Sequence, residues 1–262
     1  ECLQLQAMNP NLCIKNDASY HDMYYMNPPA KDLSKIASSD KVTKVQKDFE
    51  ATHVRPQRLM KTLFTDEAYV KANVDEARLM RRLFDLACNM QSHDTDMQLY
   101  SLFTDEECYD LWSCNNLYWY LTHACSPVTD GLMPYREADL LRNILDRADA
   151  ALKEGKNQAT LRFGHESCLL PLVALLELNH YGESYPDVEK LSEQWRAYDI
   201  FPMASNVQFV FFHKKGSNDV LVKVLLNEKE AKLPVKTDIA PYYHWKDVES
   251  YYRQKLDKYQ HI

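Results

Sequence analysis

Residues 161–176, with the sequence LRFGHESCLLPLVALL, constrain the fold of this chain more than any other stretch. Apolar and polar residues alternate up to Gly164, and this alternation predicts a β-strand over residues 159–163. The apolar run that follows indicates a helix. Pro171 has to lie in the first turn of that helix, because a proline inside a helix costs about 3 kcal/mol. We therefore expect the helix to begin close to Ser167.

His165 and Glu166 lie at the junction between the predicted strand and the helix. A helix begins with free N–H groups and a partial positive charge, which together stabilise a bound anion such as phosphate. An imidazole and a carboxyl group beside such a helix end can contact a phosphoryl group and transfer a proton. For Ser167 there are two interpretations, a hydrogen bond to a phosphate oxygen or a cap on the helix, and the cap is favoured.

The charge and the composition of the chain exclude several classes of function. The formal net charge of -7 argues against general binding to nucleic acid or to anionic membranes. No apolar run reaches the roughly 20 residues of a membrane-spanning helix, so we expect no membrane span. The seven cysteines form no C-x-x-C pair and no recognisable zinc spacing. A phosphorylated ligand would need a locally basic pocket.

The pattern of apolar residues divides the chain into two parts. Residues 18–151 have mostly helical spacing and predict a helical insert domain. Within this domain two helix starts resemble each other, because Thr65 and Asp66 in one and Thr104 in the other stand where a helix N-cap is preferred. Residues 152–262 predict part of an α/β layer, on which residues 1–17 are expected to pack.

Strand and helix signals follow one another in the second part. Residues 207–213 and 220–226 are rich in Val, Leu and Phe and are separated by a polar stretch that contains Gly216. This arrangement is typical of a β-hairpin. Residues 245–259 predict a charged amphipathic helix.

Three segments resemble the histidine acid phosphatases, branch 2 of the histidine phosphatase superfamily, and especially the multiple inositol polyphosphate phosphatases. They are residues 161–176, residues 201–211 (FPMASNVQFVF) and residues 222–234 (VKVLLNEKEAKLP). The resemblance implies an α/β fold, in which a histidine-phosphatase-type α/β layer carries a large helical insert. It also implies hydrolysis of phosphomonoesters, with inositol polyphosphates such as phytate as the substrate class. The same resemblance implies neither a metal nor a cofactor, because arginines and the helix dipole stabilise the charge of the phosphoryl group.

The resemblance assigns a role to each residue of the junction. His165 contacts the phosphoryl group, Glu166 donates a proton to the leaving alkoxide, and Ser167 is a candidate contact for the substrate. The nucleophile of the family is a histidine in an R-H-G-x-R motif, and none of the nine histidines of this chain follows an arginine. We therefore expect the 262-residue chain alone to have little or no phosphatase activity.

A basic stretch in the helical part is a second candidate for substrate contact. It includes Lys47 and Arg55, and in the family the helical insert lends cations to polyphosphorylated substrates. A solvated helix face is the favoured alternative. His93-Asp94-Thr95 spells the His-Asp-Thr motif of many acid phosphatases, but it follows a helical pattern, so we interpret it as a polar turn between helices.

The resemblance leaves the activity and the partners of the chain open. An alternative to the enzyme is a degenerate, non-catalytic module that binds inositol phosphates or another anion, or that acts only in interactions. In the family, the strand beside residues 161–163 belongs to the N-terminal part that carries the nucleophile. A second copy of the chain or a separate N-terminal segment would therefore cover the open sheet edge at residues 161–163. The family implies a secreted or periplasmic location.

Overall fold

A computed structural model describes residues 2–15, 23–26, 31–156 and 158–259 of the chain. The predicted domain boundary at residue 18 and the residue at 157 lie outside the described residues. In the part of the chain that the structure describes, the α-helices are α1 (Cys2–Met8), α2 (Lys31–Ala37), α3 (Asp40–His53), α4 (Gln57–Leu63), α5 (Glu67–Asn73), α6 (Glu76–Asn89), α7 (Asp105–His123), α8 (Ala138–Glu154), α9 (Glu166–Leu175), α10 (Leu191–Gln194), α11 (Ala197–Ile200) and α12 (Trp245–Tyr259).

Side-chain caps fix both of the predicted helix starts. The hydroxyl of Thr104 accepts from the N–H of Glu107, and the carboxylate of Glu107 accepts in return from the N–H of Thr104. The carboxylate of Asp66 accepts from the N–H of Tyr69 at 2.9 Å. Each cap satisfies an N–H group that has no partner within the helix, so both predicted starts are confirmed.

The described sheet is small and antiparallel. Its strands are β1 (Val207–His213), β2 (Val220–Leu226), β3 (Lys229–Glu230) and β4 (Tyr243–His244). β1 pairs with β2 along its whole length, and β3 and β4 pair with different parts of β2. The predicted hairpin and the predicted C-terminal helix α12 are therefore confirmed, both with the expected bounds.

The strand predicted over residues 159–163 is not formed. The backbone of residues 158–164 pairs with no described strand and makes no backbone hydrogen bond to a described residue. Leu161 and Phe163 are 62% and 68% exposed. An extended segment becomes a strand only when a neighbour satisfies its N–H and C=O groups, and the described residues provide no such neighbour. The strand prediction was wrong for this reason.

One hydrophobic core joins the helices to the sheet. It combines apolar residues of α3, α7, α8, α9 and α12 with those of β2, and Tyr120, Trp195 and Tyr252 are among its largest buried side chains. A smaller cluster fills the space between α4, α6 and α7.

The division of the chain into two domains at residues 151 and 152 stays a prediction, as does the packing of residues 1–17. Within the described ranges, no helix has both the length and the apolarity needed to cross a membrane.

Candidate functional site

The start of α9 offers free donors to an anion. α9 begins at Glu166, and the extended backbone of His165 (φ −114, ψ 166) makes this residue the N-cap. The carbonyl of His165 accepts from the N–H groups of Cys168 and Leu169 at 3.0 and 3.1 Å. The N–H groups of Glu166 and Ser167 donate to no described residue, so they are free to bind an anion at the positive end of the helix.

Two predictions about this helix need correction. Ser167 is not the N-cap, because the helix already begins at Glu166, and the side chain of His165 does not cap the helix either. Pro171 consequently lies in the second turn rather than the first. It has no N–H to donate to the carbonyl of Ser167, so that carbonyl lacks its usual partner within the helix.

The side chains of His165 and Glu166 are both exposed. Neither forms a hydrogen bond or an ion pair with a described residue, so both are free to contact a ligand. Ser167 is partly buried in the first turn. The structure therefore brings the three predicted residues together in one turn.

The body of α9 is held firmly in the core. Seven of its residues are buried, starting with Cys168. The thiol of Cys168 donates to the carbonyl oxygen of Met26 at 2.9 Å, and burial raises the pKa of this thiol. A Cβ atom at Gly164 would lie 3.0 Å from the Cε atom of Met26. Residues 23–26 thus pack closely against the turn that carries His165 and Glu166.

A short 3₁₀ turn, Met133–Glu137, also packs against α9 and leads into α8. Glu137 is only 2% exposed, its Oε2 atom has no hydrogen-bond partner among the described residues, and burial raises its pKa to about 8. The neighbouring Arg136 is half-buried, and its one hydrogen bond to a described residue, from Nη1 to the carbonyl of Thr122, is 3.5 Å long. Arg136 lies outside every motif in the sequence, and no local pattern marks it.

Arg55 and Lys47 lie in or just after α3. The guanidinium of Arg55 pairs with Glu106 at 2.8 Å and also with Asp110, and these carboxylates raise the pKa of Arg55. Lys47 is exposed and forms no ion pair with a described residue. Neither side chain bonds to the turn formed by His165, Glu166 and Ser167. Their contact with substrate therefore stays a prediction.

The other sequence candidates do not form a further site. His93 ends a 3₁₀ turn after α6 and is exposed, as is Asp94, which confirms the interpretation of this motif as a polar turn. Among the residues that the structure describes, no three His, Cys, Asp or Glu side chains lie close enough to hold a metal ion.

Comparisons with known proteins identify the class to which this fold and this turn belong. The profile of the histidine phosphatase superfamily (branch 2) matches residues 10–227, so the chain belongs to this family. The chain is also similar to multiple inositol polyphosphate phosphatase 1 of Homo sapiens, with 28% identity over 134 residues, which cover 46% of this chain and 27% of the human protein.

Solved structures show the same fold. The Bifidobacterium longum multiple inositol polyphosphate phosphatase in complex with inositol hexasulfate has a TM-score of 0.57 at 19% identity, covering 88% of this chain and 56% of that chain. Its complex with phosphate has a TM-score of 0.59 at 19% identity, covering 90% and 58%. The described helices and sheet thus have the α/β fold of the histidine phosphatases. The chain spans little more than half the length of these relatives.

Proposed function

We propose that this chain carries one half of a phosphomonoesterase site that acts on inositol polyphosphates. The observation that carries the proposal is the turn at the start of α9, where an exposed imidazole and an exposed carboxyl group flank two free N–H groups. Family membership supports the reaction class. The name of the human relative and the inositol hexasulfate bound to the bacterial one support the substrate class.

Each residue of the turn has a part in this chemistry. The N–H groups of Glu166 and Ser167, together with the imidazole of His165, bind oxygens of the phosphoryl group and stabilise the negative charge on them. Glu166, in its protonated form, gives its proton to the alkoxide that leaves phosphorus. In the family a histidine attacks phosphorus and becomes a phosphohistidine, which water then hydrolyses.

The family motif places this nucleophile directly after an arginine, and none of the nine histidines of this chain follows an arginine. We therefore propose that the 262-residue chain alone has little or no activity. The test is turnover of p-nitrophenyl phosphate by the purified chain and by its Glu166→Ala variant. Robust turnover that is lost in the variant would contradict the proposed inactivity and confirm the role of Glu166.

Binding without turnover is the second candidate, and the free donors of the α9 turn favour it, because anion binding needs no nucleophile. Calorimetry with inositol hexakisphosphate tests it. We expect wild-type chain to bind and His165→Ala to bind more weakly, with His213→Ala as the matched control, because His213 is an exposed histidine at the end of β1. Equal binding by the two variants would contradict a site at His165.

The uncovered segment before α9 supports a proposal about partners. Leu161 and Phe163 expose apolar side chains next to a backbone without strand pairing. We propose that an N-terminal segment of the family type, or a second copy of the chain, pairs with this segment and covers it. Light scattering that shows a monodisperse monomer would contradict pairing between copies. A secreted or periplasmic location is part of the same proposal and rests on the family alone; fractionation of expressing cells tests it.

A further inference from the structure

Most arginines that the structure describes are neutralised by carboxylates. Arg55, Arg58, Arg81 and Arg253, for example, each form at least one ion pair. Arg136 forms none with a described residue. Among the described residues, the guanidinium of Arg136 donates only to the carbonyl of Thr122, at the long distance of 3.5 Å.

The path of the chain places Arg136 near the start of α9. Gln158 donates to the carbonyl of Ala151 near the end of α8, and Arg162 donates to the side chain of Asn143. The extended segment therefore runs back along α8 toward the start of that helix. Three more extended residues, at about 3.3 Å each, lead to His165.

Arg136 lies about as far from Asn143 along α8 as His165 lies from Arg162 along the extended segment. Six or seven residues separate Asn143 from Glu137 and Arg136, and at 1.5 Å per residue they span about 10 Å, as do the three extended residues. His165 and Arg136 thus lie at about the same position along the axis of α8. The packing of the Met133–Glu137 turn against α9 agrees with this placement, and so does the electrostatic effect of Arg136 on Cys168, in the first turn of α9.

The charge of Arg136 is not compensated by the acidic groups nearest to it in the sequence. Burial raises the pKa of Glu137 to about 8, so this carboxyl group is mostly uncharged at neutral pH. Asp139 pairs with Arg142 at 3.0 Å. A half-buried guanidinium with free donors and no carboxylate partner is well suited to bind a phosphate.

We propose that Arg136 binds a second phosphate of a polyphosphorylated ligand whose first phosphate lies at the turn formed by His165, Glu166 and Ser167. The inference rests on the proposed function and deepens it, because it names a residue that selects polyphosphates over monophosphates. A cationic group beside the first binding position can hold a second phosphate of the same ring, which a monophosphate does not have.

Calorimetry with inositol hexakisphosphate and with inorganic phosphate tests this role. Arg136→Gln keeps a donor toward the carbonyl of Thr122 and removes the charge. We expect it to bind the hexakisphosphate about tenfold more weakly and inorganic phosphate as the wild type does. Arg136→Lys should recover part of the loss. Arg78→Gln is the matched control, because Arg78 is an exposed arginine of α6 that forms no ion pair with a described residue.

The outcomes separate this inference from the proposed function. Unchanged hexakisphosphate binding in Arg136→Gln, or an equal loss in Arg78→Gln, would overturn the role of Arg136 and leave the α9 site intact. Equal weakening for both ligands would overturn it too, since Arg136 would then contact the first phosphate. If the wild-type chain binds neither ligand, the proposed function fails as well. Thermal unfolding establishes that each variant is folded. If Arg136→Gln does not fold, hexakisphosphate binding by Arg136→Lys is compared with that of the wild type instead.

Discussion

The indole N–H of Trp245 donates to Oδ1 of Asp149 at 2.8 Å, and Oδ2 of the same carboxylate accepts from Arg253 at 2.7 Å. One acidic residue of α8 thus holds two residues of α12. Trp245 is buried, so its indole N–H depends on this acceptor.

Asp149→Ala should destabilise the protein by about 1–3 kcal/mol, because it leaves the buried indole N–H of Trp245 without an acceptor. Asp146→Ala is the matched control. Asp146 also pairs with Arg253, at 2.9 Å, but its side chain is 65% exposed, so its loss should cost at most about 1 kcal/mol. Urea unfolding measures both free energies. Equal losses would show that the contact to Trp245 contributes nothing.

Glu137 should make the stability of the protein fall as the pH rises. Between its ordinary pKa of 4.5 and the value of about 8 in the folded protein, the unfolded chain releases a proton that the folded chain keeps. Stability must therefore decrease over this range and level off above it. Glu137→Gln has no such proton, so its free energy of unfolding should rise relative to that of the wild type from pH 5 to pH 8, by up to a few kcal/mol.

Unfolding midpoints of the wild type and Glu137→Gln at several pH values measure this gain. Glu183→Gln is the control, since Glu183 is an exposed carboxylate. A difference between wild type and Glu137→Gln that does not change with pH would contradict the assignment.

Gly182 should tolerate no larger residue. A Cβ atom at this position would lie 2.8 Å from the Cβ atom and 2.9 Å from the Cα atom of Glu177, so the backbone would have to move. We expect Gly182→Ala to lower the free energy of unfolding by about 1–3 kcal/mol. Gly164→Ala is the comparison, because its nearest contact, at 3.0 Å, is the flexible end of Met26. Urea unfolding that ranks the two variants in the opposite order would contradict this account.

Leu161 and Phe163 should drive self-association of the chain. Replacing both with Ser removes two exposed apolar side chains beside an unpaired backbone, so light scattering should show less association at equal concentration. Met203→Ser is the control, since Met203 is 95% exposed and lies outside any strand. An equal decrease in both proteins would point to general surface hydrophobicity instead.

Local signals in the sequence were enough for much of the fold. The β1–β2 hairpin, α12 and the caps at Asp66 and Thr104 depend on residues close to each other along the chain, and each was predicted correctly. The strand at residues 159–163 depends on a neighbour that the described residues do not supply. Its alternation of side chains was a correct observation that led to a wrong structure.

The candidate site divides in the same way. The turn of His165, Glu166 and Ser167 is a local feature, and the sequence located it. The contacts of Arg55 with Glu106 and Asp110 join residues more than 50 positions apart, so no spacing rule predicts them. The inferred placement of Arg136 near the start of α9 follows from the path of the segment back along α8, a relationship that exists only in three dimensions.

The deep burial of α9 has a consequence for assembly. Because the core contacts of α9 hold the helix in place, the turn of His165 and Glu166 at its start would be preorganised for the complementary segment proposed above. An arriving segment would bear the entropy of its own ordering, but not that of the residues it meets. Docking to this surface should therefore order the arriving segment and leave the backbone of α9 unchanged.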